Sequence, residues 1–275
     1  MRDMIEVDSY GGLLKYWRKQ RGVNQSELAL DCDTSSRHLS CVETERAQPS
    51  RHLLLRLCAS LEVPLRARNS ILISAGYAPL YRDTGLSDPE MAQVRQLLET
   101  ILRSNAPYPT MLLDGNMDIV MRNPYFDHLY HLFADDPGML EKEKPNLLLL
   151  LFREGGFRRS IVNLGYVYQN MVERARRSLL TGAPDNRLRE VLREVNTLAP
   201  EDMPGSERLL AQIIMPLHLR KGPLELELST TSATLGSNLN ITLQELFIET
   251  AYPLGEASEQ TYNEIVRKAG RQGDR

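Results

Sequence analysis

The sequence predicts two domains: a mainly α N-terminal bundle of five short helices, then an α+β C-terminal domain. Three observations carry this. Residues 1–83 show helical periodicity only, broken at short intervals by caps, Gly and Pro. From Tyr108 the period changes, and alternating strand-like runs flank helical ones. The chain of 275 residues is long enough for two cores, and its 42% hydrophobic and 25% charged content are ordinary globular values. The boundaries this suggests are 1–83 for the bundle, 84–106 for a linker helix, 107–265 for the second domain and 266–275 for a polar tail.

Residues 1–10 read as a loose lead-in. Gly11 and Gly12 precede a helix, LLKYWRKQR, that stops at Gly22; Leu13, Leu14 and Trp17 face a core while Lys15, Arg18, Lys19 and Arg21 stay outside. The stretch from Asn24 to Arg46 then reads as two short helices joined by a tight turn. Asn24 caps the first, and Glu27 completes a capping box. Leu28, Ala29 and Cys32 share its inner face, and Ala29 is small where the second helix must cross close above it. Asp33 sits at the turn, where a positive φ is usual. Thr34 or Ser35 caps the second helix. At about 100° per residue, Leu39 and Val42 point inward, and Ser36, Arg37, Ser40, Cys41 and Thr44 share the opposite arc. Short polar side chains and one Arg on an outward face suit a helix lying in a DNA major groove, where Arg forks onto guanine. Ser50 caps a fourth helix with Leu53, Leu54, Leu57, Cys58 and Leu61 at helical spacing, and Pro64 opens a fifth that ends at Gly76.

This stretch resembles the helix-turn-helix of the phage-repressor type, with Gln25, Leu28, Ala29, Thr34, Leu39, Val42 and Glu43 in the expected places. The longer run QSELALDCDTSSRHLSCVETERAQPSRHLLLRLCASLEVPLRARNSILISAGYAP is similar to the MmyB-like branch of the XRE family of bacterial regulators. Two residues depart from the pattern: Asp33 and Glu45 stand where Gly is expected. Each costs up to about 1–2 kcal/mol if the left-handed conformation is kept. The resemblance implies sequence-specific binding of double-stranded DNA by a homodimer. On the matching positions, Gln25, Ser35, Ser36, Arg37, Ser40, Cys41, Thr44, Arg46 and Arg51 are the candidate DNA contacts. For each of them a solvated surface role is the alternative.

YAPLYRDTGLSD reads as a linker, after which Asp88 caps a helix with Pro89 in its first turn. Met91, Val94, Leu97, Leu98, Ile101 and Leu102 make an apolar stripe on it, suited either to packing or to a dimerising connector. MLLDGNMDIVM holds a hairpin signal at Asp114-Gly115-Asn116. An aromatic-rich helix follows, then two helices with a break at Gly155-Gly156, then a helix from Asn186 to Leu198. LHLR and LELELST form a second hairpin about Lys221-Gly222-Pro223, LQELFIETAY supplies a last strand, and the tail from Gly255 is polar and frays. Two strands, several helices and three strands predict a mixed sheet with one face in water. That order resembles a PAS-like domain and the C-terminal ligand-binding domain of the MmyB-like regulators, with PYPTMLLDGNMDIVMRNPYF and TLGSNLNITLQELFIETAYPLGEAS as the matching strand motifs. Met117 replaces an expected Trp, and Leu164-Gly165 replace a Trp-Glu pair after Asn163.

Leu113, Met121, Tyr125, Phe126, Leu129, Leu149, Phe152, Leu226 and Leu228 are the candidates to line an apolar cavity; an ordinary filled core is the equal alternative. The resemblance implies a small apolar ligand there, fatty-acid-like, bound non-covalently. The other reading makes this domain a protein-interaction or dimerisation module without a small ligand. No catalytic, cofactor or metal motif is present: there is no GxSxG, phosphate loop, HExxH or paired Cys cluster. His128 and His131 lie three apart beside Asp127, without a third ligand. The three cysteines, Cys32, Cys41 and Cys58, match no zinc or disulfide pattern; Cys41 points outward, where a redox role is the sharper reading and a plain surface thiol the commoner one. The net charge is −3, with 12 Lys/Arg against 10 Asp/Glu in residues 1–83. A mildly basic head on an acidic body suits local DNA contact. No apolar run is long enough to span a bilayer, and no leader sequence is evident, so a cytoplasmic protein is expected.

Overall fold

The computed structural model describes residues 9–181, 186–203, 216–236 and 240–273. Two compact units divide the chain. The first holds Met1–Thr84, Thr181–Ala183 and Ser237–Gln244; the second holds Gly85–Leu180, Pro184–Gly236 and Glu245–Arg275.

Five helices build the first unit: α1 (Tyr10–Gln20), α2 (Gln25–Asp31), α3 (Ser36–Glu43), α4 (Arg51–Ser60) and α5 (Leu65–Ser74). The predicted start signals are made. Asn24 Oδ1 accepts from the backbone N–H groups of Ser26 and Glu27, and the Glu27 carboxylate returns to the Asn24 N–H, a full capping box. Ser35, not Thr34, caps α3 through a bond from the His38 N–H at 3.1 Å. Leu14, Leu28, Leu39, Val42, Leu54, Leu57, Ile71 and Leu72 are buried together as the core. Gly11 is required by the close approach of α1 to α3: a Cβ there would lie 2.8 Å from the carbonyl oxygens of both Val42 and Glu43.

The second unit is α+β. Its strands are β1 (Thr110–Leu113), β2 (Ile119–Arg122), β3 (Leu217–Lys221), β4 (Leu224–Thr234) and β5 (Phe247–Pro253). They form one sheet in the order β2-β1-β5-β4-β3. Every pairing is antiparallel, which corrects the mixed sheet predicted from the sequence. The returning strand β5 enters between β1 and β4 rather than adding at an edge, so its neighbours run against it on both sides. Helices α6 (Ala92–Ser104), α7 (Pro124–Phe133), α8 (Leu147–Phe152), α9 (Leu164–Thr181) and α10 (Asn186–Thr197) belong to the same unit. Phe126, Leu129, Tyr130, Phe133, Leu148, Phe152, Phe157, Leu219, Leu226 and Leu228 are buried in its core.

Two details differ from the sequence reading. The chain before β5 begins with a single helical turn, α11 (Ile241–Gln244), and that turn belongs to the first unit. The tail does not fray from Gly255. It forms α12 (Glu256–Gly273), because Ser258, Tyr262 and Ile265 recur at helical spacing and are buried. The Tyr262 ring stacks on Tyr108 at 6.0 Å, and its hydroxyl donates to the Pro107 carbonyl.

Candidate functional site

The outer face of α3 is built from the turn before it and the helix behind it. Asp33 and Glu45 both take left-handed conformations, with φ of 44° and 59°. The chain therefore accepts the strain foreseen for these non-Gly residues, and both side chains are engaged. Asp33 pairs with Arg56 at 3.0 Å, and Glu45 Oε1 accepts from the Gly11 N–H at 3.2 Å. Behind α3, Glu43 is buried and takes two bonds from Arg18, at 2.6 and 2.9 Å, and one from the Gln25 amide at 2.8 Å. Burial alone would raise the Glu43 carboxyl; the bonds from Arg18 and Gln25 outweigh it and hold the group below its ordinary range. Arg18 also donates to the Val23 carbonyl at 3.0 Å, so one buried pair ties α1, α2 and α3 together. Arg18 and Glu43 are 25 positions apart, and no local spacing marks them as partners.

On this frame Ser35, Ser36, Arg37, Thr44, Arg46 and Arg51 are exposed, while Gln25, Ser40 and Cys41 are half-buried. Three of these side chains already have internal work, Gln25 through its bond to Glu43. Ser35 is the α3 cap, and the Thr44 hydroxyl donates to the Ser40 carbonyl at 2.7 Å. Arg37, Arg46 and Arg51 form no ion pair among the described residues. Cys32 and Cys58 are core residues, with burial pushing the Cys58 thiol up to about 12.

The second unit contains a cavity of about 980 Å³ between α9 and the sheet, open to solvent where Thr230 and Ser232 are exposed. One part of its wall is apolar: Met111, Leu147, Leu151, Val167 and Leu217. The other is polar: Gln169 and Arg174 of α9, Ser229, Thr230 and Ser232 of β4, and Glu249 of β5. Glu249 is 3% exposed, and the Arg174 guanidinium lies directly against its carboxylate while also covering the Phe247 ring. Burial raises the Glu249 carboxyl above its ordinary range even with Arg174 beside it. The Gln169 amide oxygen is buried and has no hydrogen-bond partner among the described residues.

The predicted lining residues fall elsewhere for the most part. Phe126, Leu129 and Leu228 border a smaller void of about 50 Å³ that shares Met111, Leu147, Leu151, Leu217, Thr230 and Glu249 with the large cavity. Leu113, Phe152 and Leu226 are fully buried in the packed core, and Met121, Tyr125 and Leu149 border neither void. The wall residues missed from the sequence, Gln169, Arg174 and Glu249, are polar, whereas the search was for apolar groups. The signal was the break in alternation along β4, where LELEL gives way to STTS. Asp127, beside His128 and His131, is paired with Arg122 at 2.5 Å. Asn163 bonds the Pro216 carbonyl and the His218 N–H, joining the start of α9 to β3.

A five-helix head with an exposed second-helix face, joined to an α+β domain around a cavity, defines a DNA-binding transcription regulator with a separate ligand-binding-type domain. Residues 94–264 match the model of the MmyB-like transcription regulator ligand binding domain, and the chain belongs to that family. Residues 14–67 match a helix-turn-helix model. Among solved structures, the crystal structure of the clp gene regulator ClgR from Corynebacterium glutamicum is 25% identical over 36% of this chain and 93% of that chain, with a TM-score of 0.22. No curated protein matches. No described helix is long and apolar enough to cross a membrane.

Proposed function

We propose that the chain is a sequence-specific regulator, acting as a homodimer, whose DNA affinity is set by a small amphipathic molecule held in the second unit. The observation that supports this best is the cavity beside Arg174 and Glu249. Its volume, about 980 Å³, suits a small-molecule ligand. Its mixed wall suits a molecule with an apolar body and one polar end, such as a fatty acid or a long-chain amide or alcohol. On the head, Arg37 reads a guanine edge, and Gln25, Arg46 and Arg51 hold phosphates. Ser36, Ser40, Cys41 and Thr44 line the groove-facing surface.

Native mass spectrometry on gently purified protein, against its denatured mass, tests the ligand. An adduct of a few hundred daltons that is lost on denaturation is the expected result, and it names the ligand class. A protein that stays free of adduct and takes up neither dodecanoate nor dodecanol would overturn the ligand reading.

A further inference from the structure

The head is finished by a piece of chain that arrives late. Helix α5 begins at Leu65, and the residue before it, Pro64, provides no side-chain cap. The cap comes from Gln244, 179 positions later, whose Oε1 accepts from the Leu65 N–H at 2.9 Å. The same turn is fixed at three more points. The Ile241 N–H donates to the Arg82 carbonyl at 2.9 Å, the Thr242 hydroxyl donates to the Thr84 carbonyl at 2.8 Å and to Asp83 at 3.2 Å, and Ile241 is 2% exposed. Asp83 in turn pairs with Arg66 of α5 at 2.5 Å. Helix α5 packs on α1, which packs on α3.

On its other side this turn is continuous with the cavity wall. It lies in the connection between β4 and β5, the two strands that supply Ser229, Thr230, Ser232 and Glu249. The last ladder pair before the connection is Thr234 with Phe247, and Ser232 stands opposite Glu249. Gln244 is thus five residues from Glu249, a span of at most about 18 Å of extended chain.

The geometry points to residues 240–246, on the β5 side of this connection, as the regulatory strap of this protein: a change at the Arg174–Glu249 end of the cavity shifts β5, and Ile241, Thr242 and Gln244 carry that shift to the N-terminus of α5 and so to α3. This inference rests on the ligand reading and names its output. The strap bears on α5, not on the outer face of α3, so it acts on the head without covering the proposed DNA-binding surface. Either the strap's contacts hold in both cavity states and move α5, or one state releases them and α5 loses its cap. Both make α5 the reporter.

The test is a double-mutant cycle in the full chain. One arm perturbs the cavity wall, by Arg174→Ala or, as a second variant of different chemistry, Ser232→Tyr. The other cuts the strap, by Thr242→Ala with Gln244→Ala. Hydrogen exchange over residues 65–74 is read alongside affinity for duplexes selected from a random pool by the unaltered chain. With the strap intact, each wall variant changes exchange in α5 and moves DNA affinity about threefold or more. With the strap cut, α5 exchanges roughly tenfold faster, as loss of two to three hydrogen bonds implies, and the wall variants move neither quantity. Equal effects of the wall variants on DNA affinity in both backgrounds would overturn the strap, as would wall variants that fold and leave α5 exchange untouched. Dodecanoate uptake by native mass spectrometry is scored on the same proteins. Its absence counts against the ligand, while the cycle still reports on the strap.

Discussion

At the scale of single residues, the head depends on a few side chains that do two things at once. Arg37 lies exposed on the helix that Ser35 caps. Arg37→Ala should cost about 1–3 kcal/mol in binding to a selected site and relax preference at one base position, while Arg46→Ala should weaken binding to all sequences alike. Quantitative binding to a library of single-base variants separates the two, and a uniform loss for both would reassign Arg37 to phosphate. In the body, Asp114 shows a different economy. Its carboxylate takes the N–H groups of Asn116 and Asp118 at 2.8 and 2.9 Å, and burial, aided by the nearby Asp118 charge, still lifts it from 3.8 to about 6. A group raised on folding holds its proton more tightly in the native state. Its contribution is therefore complete below about pH 3.8 and lost as pH rises through about 6. Asp114→Asn keeps both acceptor bonds and should flatten the stability–pH slope between pH 4 and 6 in denaturant titrations. An unchanged slope would show that Asp114 does not set it. The sequence showed Asp114 as a turn residue by its neighbours Gly115 and Asn116, yet the left-handed residue in that turn is Met117, φ 63°. Turn chemistry located the bend, and side-chain bonding chose which residue carries the strain.

At the scale of elements, what was legible in the sequence was local. The capping box at Asn24, the cap at Ser50 and the turn at Lys221-Gly222 are written in neighbouring residues, and the structure makes each one. What was not legible was pairing at a distance: Arg18 with Glu43, Arg174 with Glu249, and the placement of β5 between β1 and β4. The last helix shows how polarity misleads. α12 exposes Glu256, Glu259, Glu264, Arg267 and Lys268, but Tyr262 is 2% exposed and sits in the core of its unit. Tyr262→Ala should lower the stability of the second unit by about 3–4 kcal/mol, the usual cost of deleting a buried aromatic side chain, and denaturant titration followed by circular dichroism reads it. A loss under 1 kcal/mol would return α12 to the status of a loose tail.

At the scale of the whole molecule, the homodimer proposed above carries a geometric requirement. Two heads must meet successive major grooves on one side of the duplex, about 34 Å apart. Sedimentation of the free protein as a dimer, and a footprint with two protected half-sites at that spacing, are the expected results; a single protected half-site would remove the paired-head arrangement. A last consequence concerns how the protein is born. The bundle closes on Gln244, so α5 leaves the ribosome well before its cap and waits for a part made 179 residues later. At about 5–20 residues per second, that wait is on the order of 10–40 s. A nascent head is thus exposed to the cell before its fifth helix is capped, and the finished contact certifies that the chain through β4 has been made.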